Sequence, residues 1–290
     1  MKPVFTKIQE DVQMDVFAVR VIDLPNFSTE FHFHRECQMV YVEESEGKRI
    51  IGDSVEIFSS GELILLGPDI PHVWYNDRRY FEKGENETHA RSLALFFDPD
   101  KLTTAMEMFG EGNHIAALLK KARRGMKFSG KTKEELKQLM HNITAQQGMH
   151  RLTTFMQILE VLIRSKEFEL LASEGYVNTY QAKDNDRIDR VFTHVFSHFK
   201  TDIQLDAVAK LAHMNKQAFC RYFKSRTQKT FVQFLNEVRI GHACKLMADG
   251  ERQIASLAYE CGFNSLSNFN RFFREIKGMS PREYIKLLAV

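Results

Sequence analysis

The sequence predicts an α+β multidomain chain. It reads as an N-terminal antiparallel β-barrel of jelly-roll type, a helical middle segment, and an all-α C-terminal domain with two helix-turn-helix units. Three observations carry this reading. Short runs rich in Val, Ile, Phe and Tyr recur up to about residue 98. Beyond them the apolar spacing changes to a helical period. The last third contains a degenerate internal duplication. A length of 290 residues suits about two domains, and 43% apolar with 27% charged residues can build a sizeable core.

The strand runs are Val16–Leu24, Phe31–His34, Gln38–Glu43, Arg49–Ile51, Val55–Phe58, Glu62–Leu66, His72–Tyr75 and Arg91–Phe97, with turn signals at Gly47, Gly52-Asp53, Ser60-Gly61 and Gly67-Pro68. Residues 1–98 therefore form the expected barrel. Asn76 to Ala90 is polar and predicts an exposed loop. Residues 99–172 carry three helical stripes: Ile115, Leu118, Leu119 and Ala122; Leu136, Leu139, Met140 and Ile143; and Phe155, Ile158, Leu159, Leu162 and Ile163. Such stripes are usually core. The last is also a candidate contact in a homodimer. The polar stretch 173–186 predicts a linker.

Residues 187–290 are predicted to be helical at 187–199, 205–212, 216–226, 231–248, 253–260, 265–276 and 281–288. This part carries a formal +8, against −6 for the preceding 186 residues. A basic module on an acidic body points to a polyanion partner, here double-stranded DNA. No apolar run approaches the ~18 residues of a spanning helix, so no membrane partner is expected. The start, MKPVFTKIQEDVQMD, lacks an apolar secretory core. Four cysteines without a CxxC pair read as reduced thiols. Both suggest a cytoplasmic protein.

The duplication places Leu205, Val208, Ala209 and Met214 against Ile254, Leu257, Ala258 and Phe263 at an offset of 49. After a turn, Phe219, Arg221, Phe223 and Lys224 match Phe269, Arg271, Phe273 and Arg274 at an offset of 50. Each copy is a short apolar helix, a tight turn and a longer basic helix, the pattern of a helix-turn-helix. Asn215 and either Asn264 or Ser265 suit the N-caps, and Gly262 a permissive turn where the first copy has His213. Thr230 with Gln233, and Ser280 with Glu283, suit capping boxes, and Asp249-Gly250 a helix stop. Two such units on a rigid spacer would enter successive major grooves about 34 Å apart. Gln217, Arg221 and Lys224 share one helix face, and Ser267, Asn268 and Arg271 another. A solvated polar face is the bland alternative. Two basic copies in register favour DNA contact.

The segments LDAVAKLAHMNKQAFCRYFKSRTQKTFVQFLNEVRIGHACKLM and IASLAYECGFNSLSNFNRFFREIKGMSPREY resemble the DNA-binding domain of the AraC/XylS family of bacterial transcription regulators, over roughly residues 187–288. The resemblance implies base contact at Gln217, Cys220 and Arg221 and at Leu266, Ser267, Asn268 and Arg271. Lys216, Lys224, Ser265 and Arg274 complete the expected DNA-binding set. Cys220 and Leu266 hydrogen-bond poorly and suit a thymine methyl at most. The N-terminal part resembles the cupin-like effector and dimerisation domain of that family, through FHFHRECQMVYVEE and SSGELILLGPDIPHVW. An effector pocket at His32, His34, Glu36, Gln38, His72 and Trp74 is then implied, for an unknown small molecule, sugar-like or another metabolite.

His32, His34, Glu36 and Gln38 have one parity, so an unbroken strand would set them on one face, with His72 arriving from another strand. His32, His34, Gln38 and His72 would then be the ligand set for a divalent transition metal, Zn, Ni, Fe or Mn. Gln38 stands where the family motif carries an acid, and a neutral amide is the weaker ligand. Histidines that bond an organic effector and histidines that close the barrel mouth are the other two readings, and all three stay open. Phe33 and Tyr41, of opposite parity, are expected outside the barrel. The leading function is a sequence-specific, effector-responsive DNA-binding regulator and not an enzyme. The alternatives are a metal-dependent cupin enzyme, such as an oxygenase or isomerase, fused to a DNA-binding domain, and a dimerising interaction protein.

Overall fold

The computed structural model describes residues 16–27, 31–81, 89–176, 178, 185–248 and 253–288. These divide into two compact units: one spans 16–54 and 58–178, the other 185–288 together with 55–57.

In the N-terminal unit the elements run β1 (Phe17–Leu24), β2 (Cys37–Glu44), β3 (Gly47–Ile51), β4 (Ser54–Phe58), β5 (Leu63–Leu66), β6 (His72–Asn76), β7 (Ala90–Phe97), α1 (Pro99–Met108), α2 (Gly112–Ala122), β8 (Met126–Phe128), α3 (Gly130–Ala145), α4 (Gly148–Arg164) and β9 (Phe168–Leu170). They build a six-stranded sheet, β1-β7-β2-β5-β8-β9, and a three-stranded sheet, β4-β3-β6. The pairings β1–β7, β7–β2, β2–β5, β5–β8 and β8–β9 are antiparallel. The expected closed barrel is therefore replaced by two sheets. On the β5 side the large sheet continues into β8 and β9, three-residue strands too short to show a period of two.

Both faces of the large sheet are covered, which explains the nearly unbroken apolar runs of β2 and β5. Met39, Tyr41, Leu63, Leu65, Leu93, Leu95 and Phe97 pack against the helices, on Leu102, Leu118, Met140, Phe155 and Ile158 among others. The alternating residues Val40, Val42, Ile64 and Leu66 pack with Ile51, Phe58 and Trp74 of the small sheet. Tyr41 thus lies outside the space between the sheets, as its parity requires. The Phe31–His34 run does not form a strand of its own. His32 makes an isolated antiparallel bridge to His72. In the expected loop, Arg78–Phe81 form a 3-10 turn that buries Tyr80, and 82–88 lie outside the described residues.

The stripe proposed as a dimer contact is corrected. Phe155, Ile158, Leu159 and Leu162 of α4 are buried in this unit's own core, because the helix-side face of the sheet needs that cover. The exposed apolar residues of α4 are Met149, Leu152 and Met156.

The second unit is all helical: α5 (Asn185–His198), α6 (Leu205–Leu211), α7 (Lys216–Thr227), α8 (Phe231–Ala248), α9 (Ile254–Glu260), α10 (Leu266–Lys277) and α11 (Pro281–Leu288). The caps form as their side chains dictate. Asn215 accepts from the Ala218 N–H, and Ser265 from that of Asn268. Thr230 pairs with Gln233, and Ser280 with Glu283, in reciprocal boxes. The Asp249-Gly250 stop lies outside the described residues. Both turns reach the left-handed region, with φ 54° at His213 and 86° at Gly262. At Gly262 a Cβ would sit 2.6 Å from the Phe199 carbonyl oxygen, so close approach demands glycine there.

Helix α8 serves both copies. Phe231 and Phe234 near its start meet Phe219 and Phe223 of α7. Ile240, Ala243, Cys244 and Met247 join Leu257, Phe263, Phe269 and Phe273 in a second cluster. Among the described residues no helix is long and apolar enough to cross a membrane.

The Phe155 ring stacks on Phe17 at 4.1 Å between centroids and is 1% exposed. Phe155→Ala is expected to destabilise the N-terminal unit by about 3–5 kcal/mol, read as a lowered urea midpoint.

Candidate nucleic-acid interface and effector site

In the C-terminal unit, α7 and α10 are the second helices of the two helix-turn-helix copies. Phe219 and Phe223 on α7 and Phe269 and Phe273 on α10 are fully buried. That leaves the opposite faces in solvent. Lys216, Gln217, Cys220, Arg221 and Lys224 are all exposed on α7. On α10 the exposed residues are Ser267, Asn268, Arg271 and Arg274. Ser265 is half-buried and occupied as the N-cap. Leu266 packs against the second cluster, which leaves little of it for a base edge. Lys216 Nζ lies 3.2 Å from Asp206. Arg271 lies over the Phe272 ring at 4.2 Å, with one nitrogen 3.7 Å from Glu275. Such exposed pairs are weak and yield readily to a phosphate or a guanine.

In the N-terminal unit, three imidazoles converge. The backbone bridge between His32 and His72, with N–O distances of 3.0 and 2.8 Å, clamps the two segments together. Their ring centroids are 4.3 Å apart, and His34 lies 5.0 Å from His72. One nitrogen from each of the three falls within 4.8 Å of the others. A carbonyl oxygen only accepts, so the two neighbouring carbonyls set the tautomers. His34 Nδ1–H donates to the Glu36 carbonyl and His72 Nδ1–H to the Ile70 carbonyl, both at 2.8 Å. Each Nε2 is then a lone pair. That of His34 lies 3.1 Å from Gln38 Oε1; two acceptors cannot share a hydrogen bond, so the pair is complete only with the amide flipped to present its NH₂. The Nε2 of His72 is buried and has no hydrogen-bond partner among the described residues.

Burial, aided by the neighbouring His32, drives the His34 pKa down from 6.5 to about 4. The same two causes, with His34 added, hold His72 well below the ordinary histidine range. Both imidazoles are neutral near pH 7, the form that binds a metal or accepts a hydroxyl.

The one-face expectation for Glu36 is corrected. The chain bends at residues 35 and 36, before β2 begins at Cys37. The Glu36 carboxylate comes no closer than 3.8 Å to His34, and on its Nδ1 side, away from the converging lone pairs. Gln38 reaches the cluster through His34. The Trp74 ring meets His72 edge-on at 5.7 Å, and its buried indole N–H donates to nothing among the described residues. Two arginines, one buried and one half-buried, escaped the sequence reading. Arg49 is fully buried and pairs with Glu62 at 2.7 Å. Arg20 lies 5.7 Å from the centre of the Phe96 ring. The available signal was a charged residue at inward parity inside an apolar strand.

Two helix-turn-helix copies packed on one shared helix, within a basic segment, define a DNA-binding transcription regulator. A family profile and a curated relative agree. A family profile described as a helix-turn-helix domain matches residues 208–287. The transcriptional activator RhaS of Escherichia coli is 24% identical over 272 residues, covering 90% of this chain and 88% of that protein. Among solved structures, the DNA-binding domain of AdpA in complex with a target DNA is 26% identical, with a TM-score of 0.34, covering 35% of this chain and 92% of that one. ToxT of Vibrio cholerae is 14% identical, with a TM-score of 0.37, covering 95% of this chain and all of the other. The profile match and the likeness to RhaS both agree with the resemblance of this chain to the AraC/XylS family of bacterial transcription regulators.

The neutral state of His34 sets a sign for acid stability. Above its unfolded value of 6.5 neither state binds the proton, and the native contribution is complete. As pH falls from there toward about 4, the unfolded chain protonates first and stability declines. Urea denaturation of EDTA-treated protein between about pH 7.5 and about pH 4.5 should show this decline, and His34→Gln should flatten it.

Proposed function

We propose that the chain is a sequence-specific DNA-binding transcription regulator, acting in the cytoplasm and responding to a small-molecule effector. The observation that carries this reading is the duplicated helix-turn-helix, whose α7 and α10 expose Gln217, Arg221 and Lys224, and Asn268, Arg271 and Arg274. Gln217 and Asn268 suit adenine, the arginines guanine, and Lys216 and Lys224 phosphates. The kinship with a transcriptional activator over most of the chain supports it.

The effector is held between the two sheets of the N-terminal unit, which acts as a cupin-like domain. His32, His34, Gln38, His72 and Trp74 line its site. Effector binding biases DNA affinity through a coupling between two sites of one chain. The regulator works as a homodimer, with the exposed Met149, Leu152 and Met156 of α4 as the contact. Light scattering at micromolar concentration tests this, and a monomer counts against it.

A second reading concerns the same cluster. Three imidazoles, each with one nitrogen within 4.8 Å of the others, fit a divalent transition metal such as Zn, Ni, Fe or Mn. His32, His34 and His72 would hold it, with Gln38, its Oε1 turned toward the cluster, as a weak fourth ligand. When bound, it would supply a Lewis-acidic anchor for an effector oxygen. Elemental analysis of protein purified without chelator decides, and substoichiometric metal removes this reading.

Fluorescence anisotropy on promoter DNA beside the gene, against random duplex, tests the main proposal. Equal affinity for both overturns it. Arg271→Ala is expected to cost about 1–3 kcal/mol and relax preference at one base position. Lys224→Ala should instead weaken all sequences alike and lower the salt slope by about 1.

A further inference from the structure

The duplication repeats an aromatic residue directly after each candidate base-reading arginine. Tyr222 follows Arg221 on α7, and Phe272 follows Arg271 on α10, at the same offset of 50. The two copies use that ring differently. The Arg271 guanidinium carbon lies 4.2 Å from the Phe272 centroid, so the cation rests on the ring. On α7 the Tyr222 ring takes Arg226 instead, at 5.7 Å. Arg221 has neither a ring nor a carboxylate against its side chain among the described residues.

Phe272 is itself fixed. It packs against the second cluster and lies 6.3 Å from the Phe263 ring. Glu275, one turn further on, comes within 3.7 Å of an Arg271 nitrogen. That is too long for a hydrogen bond, so the carboxylate aligns the guanidinium without occupying its N–H groups. Stacking leaves the donors open as well. They lie in the plane of the guanidinium, and a ring beneath one face keeps the edge available to O6 and N7 of a guanine. An arginine gives up much rotamer freedom when it binds a base. Where a ring has already removed part of that freedom, more of the bidentate bond energy appears as discrimination between bases. Arg221 must be ordered at the moment of binding, and Arg271 is ordered beforehand.

We propose that Phe272 is a positioning residue for Arg271, and that it makes the second helix-turn-helix the strict reader of one guanine while the first, through Arg221, contributes a looser preference; this rests on the DNA-binding reading above. Glu275 holds the same orientation in the free protein and gives way when the base arrives, as an exposed pair can.

The test uses the full chain and duplexes enriched on it from a randomised library. The position read by Arg271 is the one whose preference Arg271→Ala abolishes, and Arg221→Ala locates the other. The unsubstituted protein should favour guanine at least about tenfold at the first position and only about threefold at the second. Phe272→Leu keeps an apolar side chain in the cluster and removes the ring. It should cut the preference at the Arg271 position to about twofold, with the other positions and the salt slope unchanged. Phe272→Tyr restores the ring and should restore the preference, whereas Tyr222→Leu should leave the Arg221 position as it was. A second readout needs no variant. In the free protein the side-chain Nε–H resonance of Arg271 should be displaced by the Phe272 ring current, and that of Arg221 should keep the ordinary arginine position. The assignment is overturned if both resonances are ordinary, if the two positions are read equally strictly, if Phe272→Leu keeps the preference or weakens every position alike, or if Phe272→Tyr fails as Leu does. Equal affinity of the unsubstituted protein for every duplex removes the regulator reading and this assignment with it. A sequence preference that survives Phe272→Leu removes this assignment alone.

Discussion

The N-terminal unit depends on the burial of both faces of its six-stranded sheet. In a strand, successive side chains point to opposite faces. In β2, Met39 and Tyr41 go to the helices, and Val40 and Val42 to the small sheet. Every element of this unit answers to that division. The middle helices exist to cover one face, which is why the α4 stripe is interior. The small sheet covers the other, and between the two sheets His34, Gln38, His72 and Trp74 of the candidate site are buried.

Sealing gives that site its chemistry. An exposed histidine would titrate near neutrality. Here burial keeps His34 and His72 uncharged, and two backbone carbonyls choose which nitrogen holds the proton. The Nε2 atoms left over on these two histidines are acceptors. The same low-dielectric interior makes the Trp74 indole N–H, which has no acceptor among the described residues, consequential.

The DNA-binding unit solves a different packing problem with one element. Helix α8 gives Phe231 and Phe234 to the first helix-turn-helix and Ile240, Ala243 and Cys244 to the second. Each copy is too small to bury its own apolar surface, so both lean on the shared helix. The phenylalanines of α7 and α10 are held inward, and the basic residues have only solvent or a polyanion to face.

Much of this was legible in the sequence. The seven C-terminal helices fall within two residues of the expected spans, because caps at Asn215, Ser265, Thr230 and Ser280 are local chemistry. The strands of the N-terminal unit were readable from composition and turns, and the three histidines from their motif. Four features needed tertiary structure. Strands β8 and β9 are three residues each and pair only because β5 offers a free edge. Glu36 left the cluster because the chain bends before β2, which parity along an unbroken strand could not foresee. Leu266 is claimed by a neighbouring core. Arg20 became notable only when β1 was paired with β7 and its side chain met the Phe96 ring. Local sequence determines what a segment can hydrogen-bond within itself; which groups end up without a partner is settled by what the rest of the chain brings alongside.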